Sequence, residues 1–314
     1  MTEHPHSLKH PLNILVAGIY WSGSGAVVDY LKGHPDCHVP RGEFTDFKRS
    51  GRIGSILEAG SASRAKWLAR AMWLETALGK LPAARLKQSK GKDQGKLPLK
   101  EQVKHNRLKL EHLDRYRKHL SEGGSPSDSR IWNQWLQAVG MEYAGDKQSI
   151  VWNQPIWVGK HETTWPAVFS PFKLIVVHRD PIDQFAEVVR QGKIGKRKSD
   201  PAFDDGEKDD IAYVLKGIAA KMESLMALQG QLTESHMLAV SFETFVKSHK
   251  AEAQRICDFL GFPEAQLPSA PFDPAYSIRN IGIGDTDLIR GMLKGYQPLV
   301  DRLYDLRAQF DNAQ

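Results

Sequence analysis

Cysteine is nearly missing from this chain. Its 314 residues include two, Cys37 and Cys257, too distant in sequence for a CxxC pair and too few for a disulfide framework. That scarcity fits a reducing compartment. Long hydrophobic runs are missing too. No stretch approaches the roughly 18 apolar residues that span a bilayer, and the longest candidate, Ile14 to Ile19, is strand-sized. Met1 to Pro11 is polar and rich in histidine, without the apolar centre of a secretory signal. These absences point to a cytoplasmic protein, with a peripheral place at a membrane left open. His34, His38 and His178 lack a metal-ligand spacing, so no metal is assigned.

What is present describes a soluble globular chain. Hydrophobic residues make up 41% and charged residues 25%, which excludes fibrous, collagen-like and fully disordered classes. The formal net charge is +6, but it is unevenly placed. Between Arg85 and Lys118 there are twelve Lys/Arg against four Asp/Glu, a local +8, so the rest of the chain sums to −2. Such a run is either a solvated, partly helical insertion or an electrostatic site for a polyanion or an anionic membrane surface. No nucleic-acid motif accompanies it, and no nucleic-acid partner is expected.

Apolar patterning organises the chain as alternating strands and helices. Asn13–Ile19 reads as a strand buried on both faces, followed by a Gly/Ser turn and a helix over Ala26–Lys32 that Gly33 stops. Ser55–Leu81 has helical spacing, and Pro82, Gly91, Gly95 and Pro98 then argue for a loop. Ser149–Trp152, Lys173–Val177 and Met237–Ser241 read as further strands. Helices are expected over Ile182–Val189 (opened by Pro181), Asp209–Leu228 and Lys250–Leu260, the last ended by Gly261. The pattern predicts an α/β fold with a mainly parallel sheet. One domain is expected over 1–314, with a mostly helical, basic insertion at about 50–147.

Two constellations carry chemistry at strand ends. In Gly18-Ile19-Tyr20-Trp21-Ser22-Gly23-Ser24-Gly25, small residues let backbone N–H groups and a helix N-terminus converge on an anion such as phosphate; the plain alternative is a βα turn that needs glycine. Lys-Ser/Thr does not follow Gly23, so this is not a Walker A motif. Val176-Val177-His178-Arg179-Asp180-Pro181 puts an arginine where α/β sheets bind ligands, suited to a phosphate or carboxylate, or else to an ion pair with a neighbouring acid.

Together these motifs resemble the sulfotransferases that use 3′-phosphoadenosine 5′-phosphosulfate (PAPS). Val240-Ser241-Phe242-Glu243-Thr244-Phe245, Ile256-Cys257-Asp258-Phe259-Leu260-Gly261 and Arg279-Asn280-Ile281-Gly282-Ile283-Gly284-Asp285 add to the resemblance in the expected order. It covers about residues 12–48 and 149–285, and it implies a P-loop-like three-layer domain. It also implies that Trp21, Ser22, Gly23, Ser24, Gly25 and Ala26 hold the 5′-phosphosulfate, with Arg179 and Arg279 near the 3′-phosphate. Asn280 and Gly282 fall in the last cofactor loop. Trp21 stands where the family usually has Lys or Arg, Glu187 where many members have serine, and Asn280 and Ile281 where Lys and Gly are usual.

His34-Pro35 followed by Arg41-Gly42-Glu43-Phe44 resembles the carbohydrate-modifying members, whose glutamate is the general base. Glu43 takes that place, and a carbohydrate or glycolipid acceptor is implied. The other reading of Glu43 is an exposed carboxylate paired with Arg41. Trp132, Trp135, Trp152, Trp157 and Trp165 are core residues or a platform for a sugar ring. A P-loop-like phosphotransferase and a non-catalytic nucleotide-binding protein on the same scaffold are the competing functions.

Overall fold

The structure, a computed structural model, describes residues 11–19, 21–78, 99–195, 207–263 and 271–312. The lysine-rich stretch read as a loop, Pro82 to Pro98, lies outside the described residues. Five strands, β1 (Leu12–Gly18), β2 (Cys37–His38), β3 (Ser149–Asn153), β4 (Phe172–His178) and β5 (Met237–Ser241), form a parallel sheet of order β2-β3-β1-β4-β5. Cys37 pairs with Ser149, and Leu174 to His178 pair in step with Met237 to Ser241. Runs such as Ile14-Leu15-Val16-Ala17 and Leu174-Ile175-Val176-Val177 are fully buried, as strands covered on both faces require. The order changes direction between β1 and β4, a switch point outside whose carboxyl ends α/β sheets bind ligands.

The chain divides into two compact units. One comprises 1–15, 31–156 and 163–173, and the other 16–30, 157–162 and 174–314. In the first, α2 (Ile53–Leu57), α3 (Ala62–Ala77), α4 (Leu99–Ser121), α5 (Arg130–Tyr143) and α6 (Trp165–Phe169) pack in succession. The single helix expected over Ser55–Leu81 is two helices, because Gly60 takes a left-handed φ of 72° and the Ser61 side chain caps α3 by accepting from Arg64 N–H.

Tryptophans fill this unit's core. Trp132, Trp135, Trp152 and Trp165 are all at most 1% exposed, so these four are not a sugar platform. Trp152 donates its indole N–H to Asn13 Oδ1 at 2.8 Å, and the Asn13 amide donates to the Phe169 carbonyl at 2.8 Å. Asn13 is thereby satisfied where it is buried and fixes the strand against the aromatic cluster.

The second unit contains most of α1 (Ser24–Gly33), then α7 (Pro181–Arg190), α8 (Asp210–Gln231), α9 (Phe242–Lys247), α10 (His249–Leu260), α11 (Pro274–Ser277), α12 (Asp287–Leu293) and α13 (Gln297–Asn312). α13 packs on α8 and α7, and its Val300, Leu303, Leu306 and Phe310 are buried.

Candidate active site

The turn after β1 is built for close approach. Gly23 has φ 84°, and a Cβ there would sit 2.3 Å from Phe242 Cδ2, so nothing but glycine fits without displacing the ring. Trp21 holds φ 39°, an unusual conformation for a non-glycine residue of the kind found at functional turns. Ala26 N–H donates to Gly23 O at 2.9 Å, closing the turn into α1. Ser22 is 2% exposed, and its hydroxyl has no hydrogen-bond partner among the described residues. A buried orphan hydroxyl at a helix N-terminus is a costly arrangement that an incoming acceptor group would relieve.

Arg179, immediately after β4, is 4% exposed. Its guanidinium donates to the carbonyls of Asn280 and, at 3.4 Å, Trp21, lies 5.1 Å from the Phe242 ring centre, and leaves Nε without a partner among the described residues. It thus joins the β1 turn to the loop after α11. Asp183 is its acidic neighbour at 3.9 Å, long for an ion pair. Burial pushes Asp183 up and Arg179 down, each towards its neutral form, so this contact does not fully offset their desolvation. Asp183 instead accepts from Gly282 N–H at 2.7 Å and Gly284 N–H at 2.8 Å, strapping the glycine loop onto α7.

The remaining expected residues divide. Asn280 is drawn in twice, its carbonyl by Arg179 and its side-chain oxygen by Arg190 at 3.2 Å. Arg279 is exposed and stacks on the exposed ring of Tyr276, 3.3 Å from its centre. Glu187 is buried, but Arg190 pairs with it and Gln191 donates to it at 2.8 Å, so its charge is compensated.

Residues beyond the expected set support the same edge. Glu243 accepts from Asp180 N–H at 2.7 Å, from the Ser241 hydroxyl at 3.0 Å and from Arg307 at 3.1 Å. Burial pushes Glu243 up, but those donors and the Arg307 charge outweigh it and leave it lowered. Arg307, on α13, also reaches Asp180 at 3.4 Å and Asp311 at 3.5 Å. His178 is buried against Phe310, and burial holds it down to about 4. Arg307 was missed in the sequence, although Val300, Leu303, Leu306 and Phe310 repeat at helical spacing around it.

Glu43 belongs to the first unit. Its side chain is 53% exposed, and Oε2 accepts from Lys48 Nζ at 2.9 Å, so its partner is Lys48, where the sequence pointed to Arg41. Phe44, next in sequence, packs its ring 4.5 Å from that of Trp152 and donates its N–H to Asn153 O at 2.8 Å.

A family model described as the sulfotransferase family matches residues 11–266. The chain belongs to the sulfotransferase family. The matched span takes in the β1 turn, Glu43, Arg179 and Glu243, while Arg279, Asn280, Gly282 and Arg307 lie after it. Among solved structures, the sulfotransferase domain from the curacin biosynthetic pathway is similar at TM-score 0.51 and 15% identity, over 96% of this chain and 98% of that one. That likeness is one of fold. The sulfotransferase domain from the olefin synthase of Synechococcus PCC 7002 reaches TM-score 0.49 and 17% identity over 84% and 77% of the two chains. A sulfotransferase from Alicyclobacillus acidocaldarius reaches 0.44 and 12% over 94% and 95%. No curated protein matches the sequence.

Among the described residues, no helix is long and apolar enough to cross a membrane.

Proposed function

We propose that this sulfotransferase moves a sulfuryl group from PAPS to a hydroxyl of a carbohydrate or glycolipid acceptor. The observation that carries the donor is the buried, unpartnered Ser22 hydroxyl in a glycine turn that opens α1, a cradle whose donors fit a phosphate-bearing group. Trp21, Ser22, Gly23, Ser24, Gly25 and Ala26 would hold the 5′-phosphosulfate end. The free Nε of Arg179, with Arg279, would read the 3′-phosphate, and Asn280 and Gly282 would shape the loop that carries Arg279. When bound, PAPS supplies an activated sulfuryl group.

The acceptor hydroxyl forms an O–S bond as the bond from sulfur to the 5′-phosphate oxygen breaks. Its proton passes to Glu43, and the products are a sulfate ester and 3′-phosphoadenosine 5′-phosphate. Backbone N–H groups and arginines held in place beforehand stabilise the negative charge that develops on the departing side. The carbohydrate class rests on Glu43 and its resemblance to the carbohydrate-modifying members, because four of the five tryptophans are core. The +8 between Arg85 and Lys118 supports an anionic membrane surface as a second partner.

The test is transfer of labelled sulfate from PAPS to a panel of oligosaccharides, glycolipids, phenols and simple alcohols. Labelling of a sugar hydroxyl is expected, with a loss of about 10²-fold in Glu43→Gln. Labelling confined to phenols or alcohols overturns the acceptor class, and transfer of phosphate from ATP in its place overturns the reaction.

A further inference from the structure

We propose that Lys48 is a positioning residue that acts through Glu43, orienting its carboxylate towards the acceptor hydroxyl. The inference rests on the reading of Glu43 as the base.

The loop from Arg41 to Lys48 has an unusual distribution of burial. Gly42 and Glu43 are exposed, whereas the run from Phe44 to Lys48 is buried. Phe44 and Phe47 enter the aromatic core beside Phe169. Asp46 pairs with the buried Lys109 of α4, whose ammonium lies 5.8 Å from the Trp135 ring centre. The backbone is pinned as well. Phe44 N–H donates to Asn153 O, Ile53 N–H to Asp46 O at 3.0 Å, and Gly54 N–H to Phe47 O at 3.2 Å. The main chain around Glu43 is therefore fixed, and its side-chain torsions remain to be set.

Lys48 is placed to set them. Its side chain is 4% exposed, yet its ammonium lies 2.9 Å from the Oε2 of a carboxylate that is half in water. A lysine buried on a loop is costly unless its charge is paired. The spacing of five residues is not the i,i+4 pair of a solvated helix face. Glu43 Oε1 has no partner among the described residues. One oxygen is thus held from the protein side and the other is open, as a base needs in order to present a lone pair in a fixed direction.

The test compares wild type, Lys48→Met, Lys48→Arg, Glu43→Gln and the Lys48→Met/Glu43→Gln double variant. Single-turnover transfer from PAPS to the best acceptor is measured beside the affinity for 3′-phosphoadenosine 5′-phosphate. Lys48→Met is expected to slow transfer by about tenfold or more with nucleotide affinity unchanged, and Lys48→Arg to restore most of the rate. In the Glu43→Gln background, Lys48→Met is expected to cost less than about twofold, since residues acting as a unit are not additive.

Costs that multiply, an unchanged rate in Lys48→Met, or equal losses in Lys48→Arg and Lys48→Met overturn the positioning role while leaving the base in place. Normal turnover in Glu43→Gln removes the base itself, and the reading beneath with it. Where Lys48→Met does not fold, Lys48→Gln takes its place under the same expectations.

Discussion

Arg179 and Arg279 are assigned to one phosphate by the sequence motifs, but they stand in opposite surroundings. Arg179 is buried and holds the carbonyls of Trp21 and Asn280, whereas Arg279 is exposed on Tyr276. Replacing either with Ala is expected to weaken 3′-phosphoadenosine 5′-phosphate binding by about 1.5–3 kcal/mol and to leave AMP binding nearly unchanged. Thermal unfolding separates the two. Arg179→Ala is expected to lower the Tm, because two loop carbonyls lose their donor, and Arg279→Ala to leave it unchanged. Equal losses for bisphosphate and AMP would show that neither arginine reads the 3′-phosphate.

His178 gives a second prediction at this scale. Burial holds it at about 4, against a usual 6.5, outweighing the opposite pull of Asp311. Between those values the unfolded chain binds a proton that the folded chain refuses. Stability therefore falls as pH drops through that window, by up to about 1.4 kcal/mol per pH unit from this group. Urea unfolding of His178→Phe between pH 4.5 and 7 is expected to give a shallower acid limb than wild type. An acid limb of unchanged slope would remove His178 as its source.

At the scale of elements, the β1 turn depends on a residue distant in sequence. Gly23 has no room for a Cβ because Phe242, at the start of α9, lies beneath it. Gly23→Ala is expected to cost about 1–3 kcal/mol through overpacking and the left-handed φ, and to abolish nucleotide binding in the folded fraction. Phe242→Leu in the same chain is expected to recover part of both. Normal nucleotide affinity in Gly23→Ala would show that the turn is not the anion cradle.

The sequence made the anchoring elements legible for a physical reason. β1, β4 and β5 are continuous apolar runs because they are buried, and α7 begins at a proline behind an Asp180 cap. β2 has two residues, too few for any period to show. The break between α2 and α3 rests on Gly60 and Ser61, which a helical pattern running through them conceals. At the site, the motifs located Trp21 to Ala26 and Arg179. The Asp183 strap was not legible because it joins residues about a hundred apart in sequence, and the Lys48 contact was not because a spacing of five matches no helical or strand pairing rule.

For the whole molecule, the match over residues 11–266 places the chain in the sulfotransferase family, and the parallel sheet has its switch point at β1 and β4. The departures from the family pattern bear on the donor. Glu187 is compensated by Arg190, and Asn280 is bonded by Arg179 and Arg190, so neither is an unpaired obstacle to a phosphate. Trp21 is the departure that a direct measurement must address. Calorimetry of the full chain with 3′-phosphoadenosine 5′-phosphate, ADP, AMP and ATP with Mg²⁺ tests the central claim. The account predicts that the bisphosphate binds at least about 100-fold more tightly than AMP, the scale of a few charge-assisted hydrogen bonds to one extra phosphate. Equal affinity for bisphosphate and AMP, or a preference for ATP with Mg²⁺, would contradict it.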